Sequence, residues 1–109
     1  MQGAERNQPL TAEEAQAALD ELRRKIDVLD LQILDLLNRR ALVAAQIGDV
    51  KKAAALPVYE PKREEEVFHN VTSNNPGPLS ESAVRRLFER IIDEMRLLQK
   101  ERLRKEQER

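Results

Sequence analysis

The sequence predicts an all-α protein of three helices, one very long, one short and one of medium length, assembled as an intertwined six-helix homodimer. Three observations lead there: an apolar row of helical period from Leu19 to Val50, two proline-containing breaks that divide the remainder, and no alternating strand pattern anywhere.

The first ten residues are mostly polar and are expected to form a flexible segment, 1–10. Thr11, followed by Glu13 and Glu14, supplies a helix N-cap and acids that suit the helix dipole, so a helix is expected to begin near residue 11. From there Leu19, Leu22, Ile26, Leu29, Ile33, Leu36, position 40, Val43, Ile47 and Val50 recur at spacings of three and four, and no proline intervenes before Pro57. A helix over about residues 11–53 is roughly 60 Å long at 1.5 Å per residue, against a radius of gyration of about 13 Å for an ordinary domain of this size. Such a helix cannot be enclosed by its own monomer. A second stripe of Leu34, Leu37, Ala41, Ala44 and Ala45 completes the argument, since one stripe can meet the chain's own shorter helices while the other meets a symmetry mate.

Glu60-Pro61 reads as an N-cap followed by proline at the first helical position. The short helix it opens carries Val67, Phe68 and Val71 and stops at Ser73-Asn74-Asn75-Pro76-Gly77-Pro78. Ser80 then caps a third helix with apolar positions Val84, Leu87, Phe88, Ile91, Ile92, Met95 and Leu98, before a charged end. The expected division is 1–10 flexible segment, 11–103 helical domain and 104–109 charged tail.

The 109 residues fit one domain, and a 40% hydrophobic content supports a modest core that a partner subunit would enlarge. With a net charge of -1, 36% charged residues of both signs and 3% aromatics, neither a nucleic-acid nor a membrane surface is expected. The chain has no cysteine, no apolar run of membrane-spanning length and no secretory signal core, so the default expectation is the cytoplasm. His69 is the single histidine, so the usual zinc, iron-sulfur and thiol chemistries are not expected, nor any metal or cofactor. Chemistry would rest on Arg, Lys, Glu and Gln.

Several polar side chains stand where the pattern calls for apolar ones. Arg40 occupies the seam between Leu36 and Val43, and a buried guanidinium needs an anion, whether a ligand or an internal carboxylate, unless the side chain snorkels to the edge. Gln99 falls four residues after Met95 on the core face of the third helix, where it is either a buried donor or an end-of-helix surface amide. Lys51 ends the first helix, where cations also simply suit the dipole. Arg23 beside Arg24, and Arg63 beside the run Glu64 to Glu66, each read alone as solvated surface.

Taken together, these residues resemble the all-helical chorismate mutases over roughly residues 15–100. The segment LRRKIDVLDLQILDLLNRRALVAAQIGDVKK is similar to the family's L-R-x-x-I-D-x-L-D-x-x-I-L-x-L-L-x-x-R stretch, followed by a glycine and a lysine three positions later. PVYEPKREEEV is similar to its P-V-x-D/E-x-x-R-E signature, and NNPGPLSESAVRRLFERIIDEMRLLQ to its last helix with the closing glutamine. The resemblance implies an isomerase that converts chorismate to prephenate in phenylalanine and tyrosine biosynthesis, without a cofactor. It implies that Arg40 grips one substrate carboxylate and that Arg23, from the other subunit, grips the second. Lys51 and Gln99 would donate to the ether oxygen whose bond breaks, Glu64 would accept from the ring hydroxyl, and Arg63 and Glu60 would line the same wall. Met95 stands where some members carry a small hydroxylated residue, and is expected only to pack.

That assignment suits the chemistry. The rearrangement is unimolecular, so the protein can act by selecting the compact substrate conformer and by aiming preorganised donors at the oxygen where negative charge grows. Three alternatives remain at this level: an isochorismate pyruvate lyase on the same scaffold, a regulatory domain that binds chorismate or prephenate, and a ligand-free coiled-coil adaptor, which fits poorly with a seam arginine and proline-broken short helices. Similar domains occur fused to enzymes of the shikimate pathway, so association with such an enzyme is a further expectation.

Overall fold

The computed structural model describes residues 8–107, with side chains through residue 102. Residues 1–7 of the expected N-terminal segment and residues 108 and 109 of the expected tail lie outside the described residues. Regular structure among the described residues is helical: α1 (Ala12–Ala53), α2 (Pro61–Ser73) and α3 (Glu81–Gln107). The chain divides into two units between Asn38 and Arg39.

The N-terminal unit holds the first part of α1. Its start is a reciprocal capping box: the Glu14 amide donates to Thr11 Oγ1 at 3.0 Å and the Thr11 amide donates to Glu14 Oε1 at 3.0 Å. The polar surface carries local pairs one turn apart, Gln16 to Asp20 at 2.8 Å and Arg24 to Glu21 at 2.8 Å. In the apolar row, Leu19, Leu22, Ile26, Leu29, Ile33 and Leu36 are all exposed.

The second unit contains the end of α1 with α2 and α3. Its core is Ala44 and Ala45 of α1, Phe68 of α2, and Val84 and Ile92 of α3, all buried. Arg85 of α3 lies over the Phe68 ring, 4.2 Å from its centroid, and pairs with Glu65 at 3.1 Å, joining α2 to α3. Of the second α1 stripe, Ala44 and Ala45 are buried and Leu34 is exposed, and in α3 the expected core position Leu87 is also exposed.

Each helix end has a local cause. Beyond α1, the Leu56 amide donates to the Lys51 carbonyl at 2.7 Å and the Ala55 amide to the Lys52 carbonyl at 3.1 Å, with Ala55 at φ 55°. This is a Schellman closure with alanine in the left-handed position that glycine usually fills. Pro61 opens α2, and Glu60, though at the N-cap, makes no side-chain capping bond. Its carboxylate is used elsewhere. At the far end, Thr72, Ser73 and Asn74 donate to the Phe68, His69 and Asn70 carbonyls at 2.8, 2.6 and 2.8 Å. Ser80 Oγ accepts from the Ala83 amide at 3.1 Å and starts α3. That helix continues through Gln107, into residues expected as a charged tail, because KERLRKEQ holds strong helix formers and neither proline nor glycine.

Candidate active site

A cavity of about 280 Å³ opens among α1, α2, α3 and the α1–α2 connection in the second unit. Its walls include Arg40, Lys51, Glu60, Arg63, Glu64, Met95, Arg96 and Gln99, with Val43, Ile47, Val67 and Ile92 as apolar lining. Six of the seven expected site residues therefore converge, from four segments of the chain. Arg23 is not among them: it lies in the N-terminal unit, exposed, with its guanidinium 4.0 Å from Asp20.

Lys51 is the most confined of the cations. Its side chain is buried although it stands at the end of a helix, and Nζ donates to the Val58 carbonyl at 2.8 Å and lies 2.7 Å from Glu60 Oε1. The Glu60 carboxylate, having left the α2 cap, is spent on this pair. An ammonium has three hydrogens, so one remains for a ligand.

Gln99 reaches across to α1, where Nε2 donates to the Ala44 carbonyl at 3.1 Å. That acceptor fixes which end of the amide faces α1, and Gln99 Oε1 is buried with no partner. The approach depends on Gly48, since a Cβ there would stand 3.1 Å from Gln99 Cγ. The reading of Gln99 as a surface amide is thereby set aside.

Arg40 is partly buried and pairs with no carboxylate among the described residues. Burial, and secondarily the positive charge of Arg63, hold its pKa below the ordinary guanidinium value. Arginine still carries its charge throughout the working pH range, so an incoming anion would offset the cost of that partial burial. Arg63 contributes at the rim and pairs with Glu66 at 3.4 Å.

Arg96 belongs to the site and the sequence reading omits it. Its Nη2 donates to Glu64 Oε2 and its Nη1 to Asp93 Oδ1 at 3.3 Å, while the guanidinium lies 5.2 Å from the centroid of the Tyr59 ring. The hydrogen bond to Glu64 raises the Arg96 pKa, more than burial lowers it. A sequence signal exists: Ile92, Arg96 and Gln99 are spaced by four and three, so Arg96 shares their face. Four cations and two carboxylates thus line the cavity, and both carboxylates are already ion-paired. The arrangement is suited to a small polyanion that also offers a hydroxyl and an ether or carbonyl acceptor.

The family model for chorismate mutase type II matches residues 22–100, which include every expected site residue. The bifunctional chorismate mutase/prephenate dehydratase of Aquifex aeolicus is 38% identical over 86 residues, which are 75% of this chain and 24% of that protein. The chain thus spans about a quarter of the length of the curated bifunctional relatives it matches. Among solved structures, a chorismate mutase of Thermus thermophilus superposes with a TM-score of 0.75 at 35% identity, covering 76% of this chain and 94% of that one. The chorismate mutase of Helicobacter pylori, solved in complex with prephenate, superposes with a TM-score of 0.76 at 28% identity, covering 81% and 96%. With its three helices and the polar cavity between them, the chain belongs to the chorismate mutase type II family.

Proposed function

We propose that the chain catalyses the rearrangement of chorismate to prephenate, with residues 11–103 as the catalytic domain. The observation that carries this reading is Arg40, a partly buried guanidinium with no carboxylate partner among the described residues, in one cavity with Lys51 and Gln99. In the proposed mechanism Arg40 holds one carboxylate of the substrate and so selects the compact conformer that brings the reacting carbons together. The free hydrogen of Lys51 and the Gln99 amide are directed to the ether oxygen, where charge accumulates as the carbon–oxygen bond breaks. Glu64 accepts from the ring hydroxyl, and Glu60 and Arg63 complete the wall.

In this reading Arg23 of a second copy holds the second carboxylate. The exposed row on α1 supports a homodimer: Leu22, Ile26, Leu29, Ile33 and Leu36 are each about half exposed, and burying the remainder contributes roughly 1 kcal/mol apiece. No described helix is long and apolar enough to cross a membrane; a cytoplasmic location belongs to the proposal. So does association with an enzyme that consumes prephenate, which the bifunctional relatives carry in one chain.

The direct experiment follows the loss of chorismate absorbance and identifies the product, with Arg40→Ala in parallel. Saturable prephenate formation that falls by about a hundredfold or more in Arg40→Ala is the expected result. A folded wild-type protein that forms no prephenate would contradict the proposal.

A further inference from the structure

We infer that Arg96 is a positioning residue that makes the site selective for a hydroxyl-bearing substrate, acting through Glu64. The inference rests on the mutase reading, in which Glu64 receives the substrate's ring hydroxyl. Arg96 and Glu64 stand 32 residues apart on α3 and α2, both line the cavity, and their side chains are only 25% and 22% exposed.

The guanidinium is held from several directions. One terminal nitrogen donates to Glu64 Oε2, the other to Asp93 Oδ1 at 3.3 Å, and the Tyr59 ring lies 5.2 Å from its carbon. With both terminal nitrogens engaged and only the buried Nε without a partner, the guanidinium is poorly placed to swing onto a ligand carboxylate, unlike Arg40. Its effect is on Glu64: with Oε2 fixed by the arginine, the carboxylate has one defined orientation and Oε1 remains as the acceptor.

An ionised carboxylate can only accept hydrogen bonds. Held rigidly in the cavity, it penalises a ligand that lacks the hydroxyl, because its acceptor is then left unpaired. Released from Arg96, the flexible Glu64 side chain could turn toward solvent, and the penalty would lapse. Arg96 is thereby a determinant of specificity without touching the substrate.

The test compares kcat/KM for chorismate and for its analogue with hydrogen in place of the ring hydroxyl, in wild type, Arg96→Met, Glu64→Gln and the double variant. Expected is a fall of about tenfold or more in the chorismate-to-analogue ratio for Arg96→Met. In the Glu64→Gln background the same substitution should leave the ratio where it is. Arg96→Lys, which keeps the charge but not the planar fork, should give an intermediate ratio and carries the test if Arg96→Met does not fold. A wild-type ratio in the Arg96 variants, or an equal loss on both compounds, overturns the inference. Turnover by wild type with no change of ratio overturns this inference alone, whereas a wild type that converts neither compound overturns the mutase reading and this inference with it.

Discussion

Gly48 of α1 and Gln99 of α3 face one another so closely that a Cβ on the glycine would stand 3.1 Å from Gln99 Cγ. The glycine sits inside a helix, so it is needed for space rather than for an unusual backbone conformation. Replacing it with alanine adds about 1 kcal/mol of intrinsic helix preference. The same methyl displaces the Gln99 amide by a few tenths of an ångström, in a site where misplacement by about 1 Å can cost a hundredfold. Gly48→Ala should therefore melt no lower than wild type by circular dichroism while kcat/KM falls by about tenfold. A lowered melting temperature with unchanged kcat/KM would contradict this account.

Gln99 is expected to donate at every pH because a primary amide does not titrate. Glutamate at this position would be ionised at neutral pH and could then only accept; it becomes a donor once protonated. Its carboxyl would also face the Ala44 carbonyl, which now takes a hydrogen bond from Nε2 at 3.1 Å, so the neutral form is favoured there. Activity of Gln99→Glu should rise as pH falls through the carboxyl pKa, moving the optimum toward acid. A pH–rate profile identical to wild type would remove Gln99 from the reacting centre.

Arg23 and Arg40 offer a test of site sharing. If each site takes Arg40 from one chain and Arg23 from the other, Arg23→Ala and Arg40→Ala homodimers are both deficient. Refolding an equal mixture should recover about a quarter of wild-type activity, since half the dimers are mixed and each of those has one intact site of two. Mixed dimers verified by mass spectrometry that show no recovery would rule out the shared site.

Ala55 closes α1 at φ 55°, a conformation that costs a residue with a Cβ about 1 kcal/mol. Ala55→Gly should raise the unfolding free energy by about 0.5–1 kcal/mol, provided the gain exceeds the glycine's extra freedom when unfolded. It should leave kcat/KM unaltered, because residue 55 does not line the cavity. Urea titration gives the answer, and a midpoint lower than wild type would show that the strain is already relieved.

How much was legible in the sequence differs between helices and site. The bounds of α1 are local: a threonine cap with a glutamate three residues later, an apolar period interrupted only at Arg40 and a proline beyond the end determine them within a few turns. Arg40 is legible for the same reason, since a charge in an apolar seam is anomalous whatever surrounds it. The other candidate site residues are ambiguous one at a time, and their grouping rests on the family pattern.

The sequence alone therefore determined the all-helical class, the three elements and the seam arginine, because each depends on residues within a few turns of one another. Only the tertiary structure decided what pairs with what. It turned Glu60 from its cap toward Lys51, buried Lys51 against the Val58 carbonyl, set Gln99 into the space at Gly48 and clamped Glu64 with Arg96. These contacts join residues on different helices, or a helix to the connection after it, and no helical period or local cap encodes which side chain will stand opposite which once the helices pack.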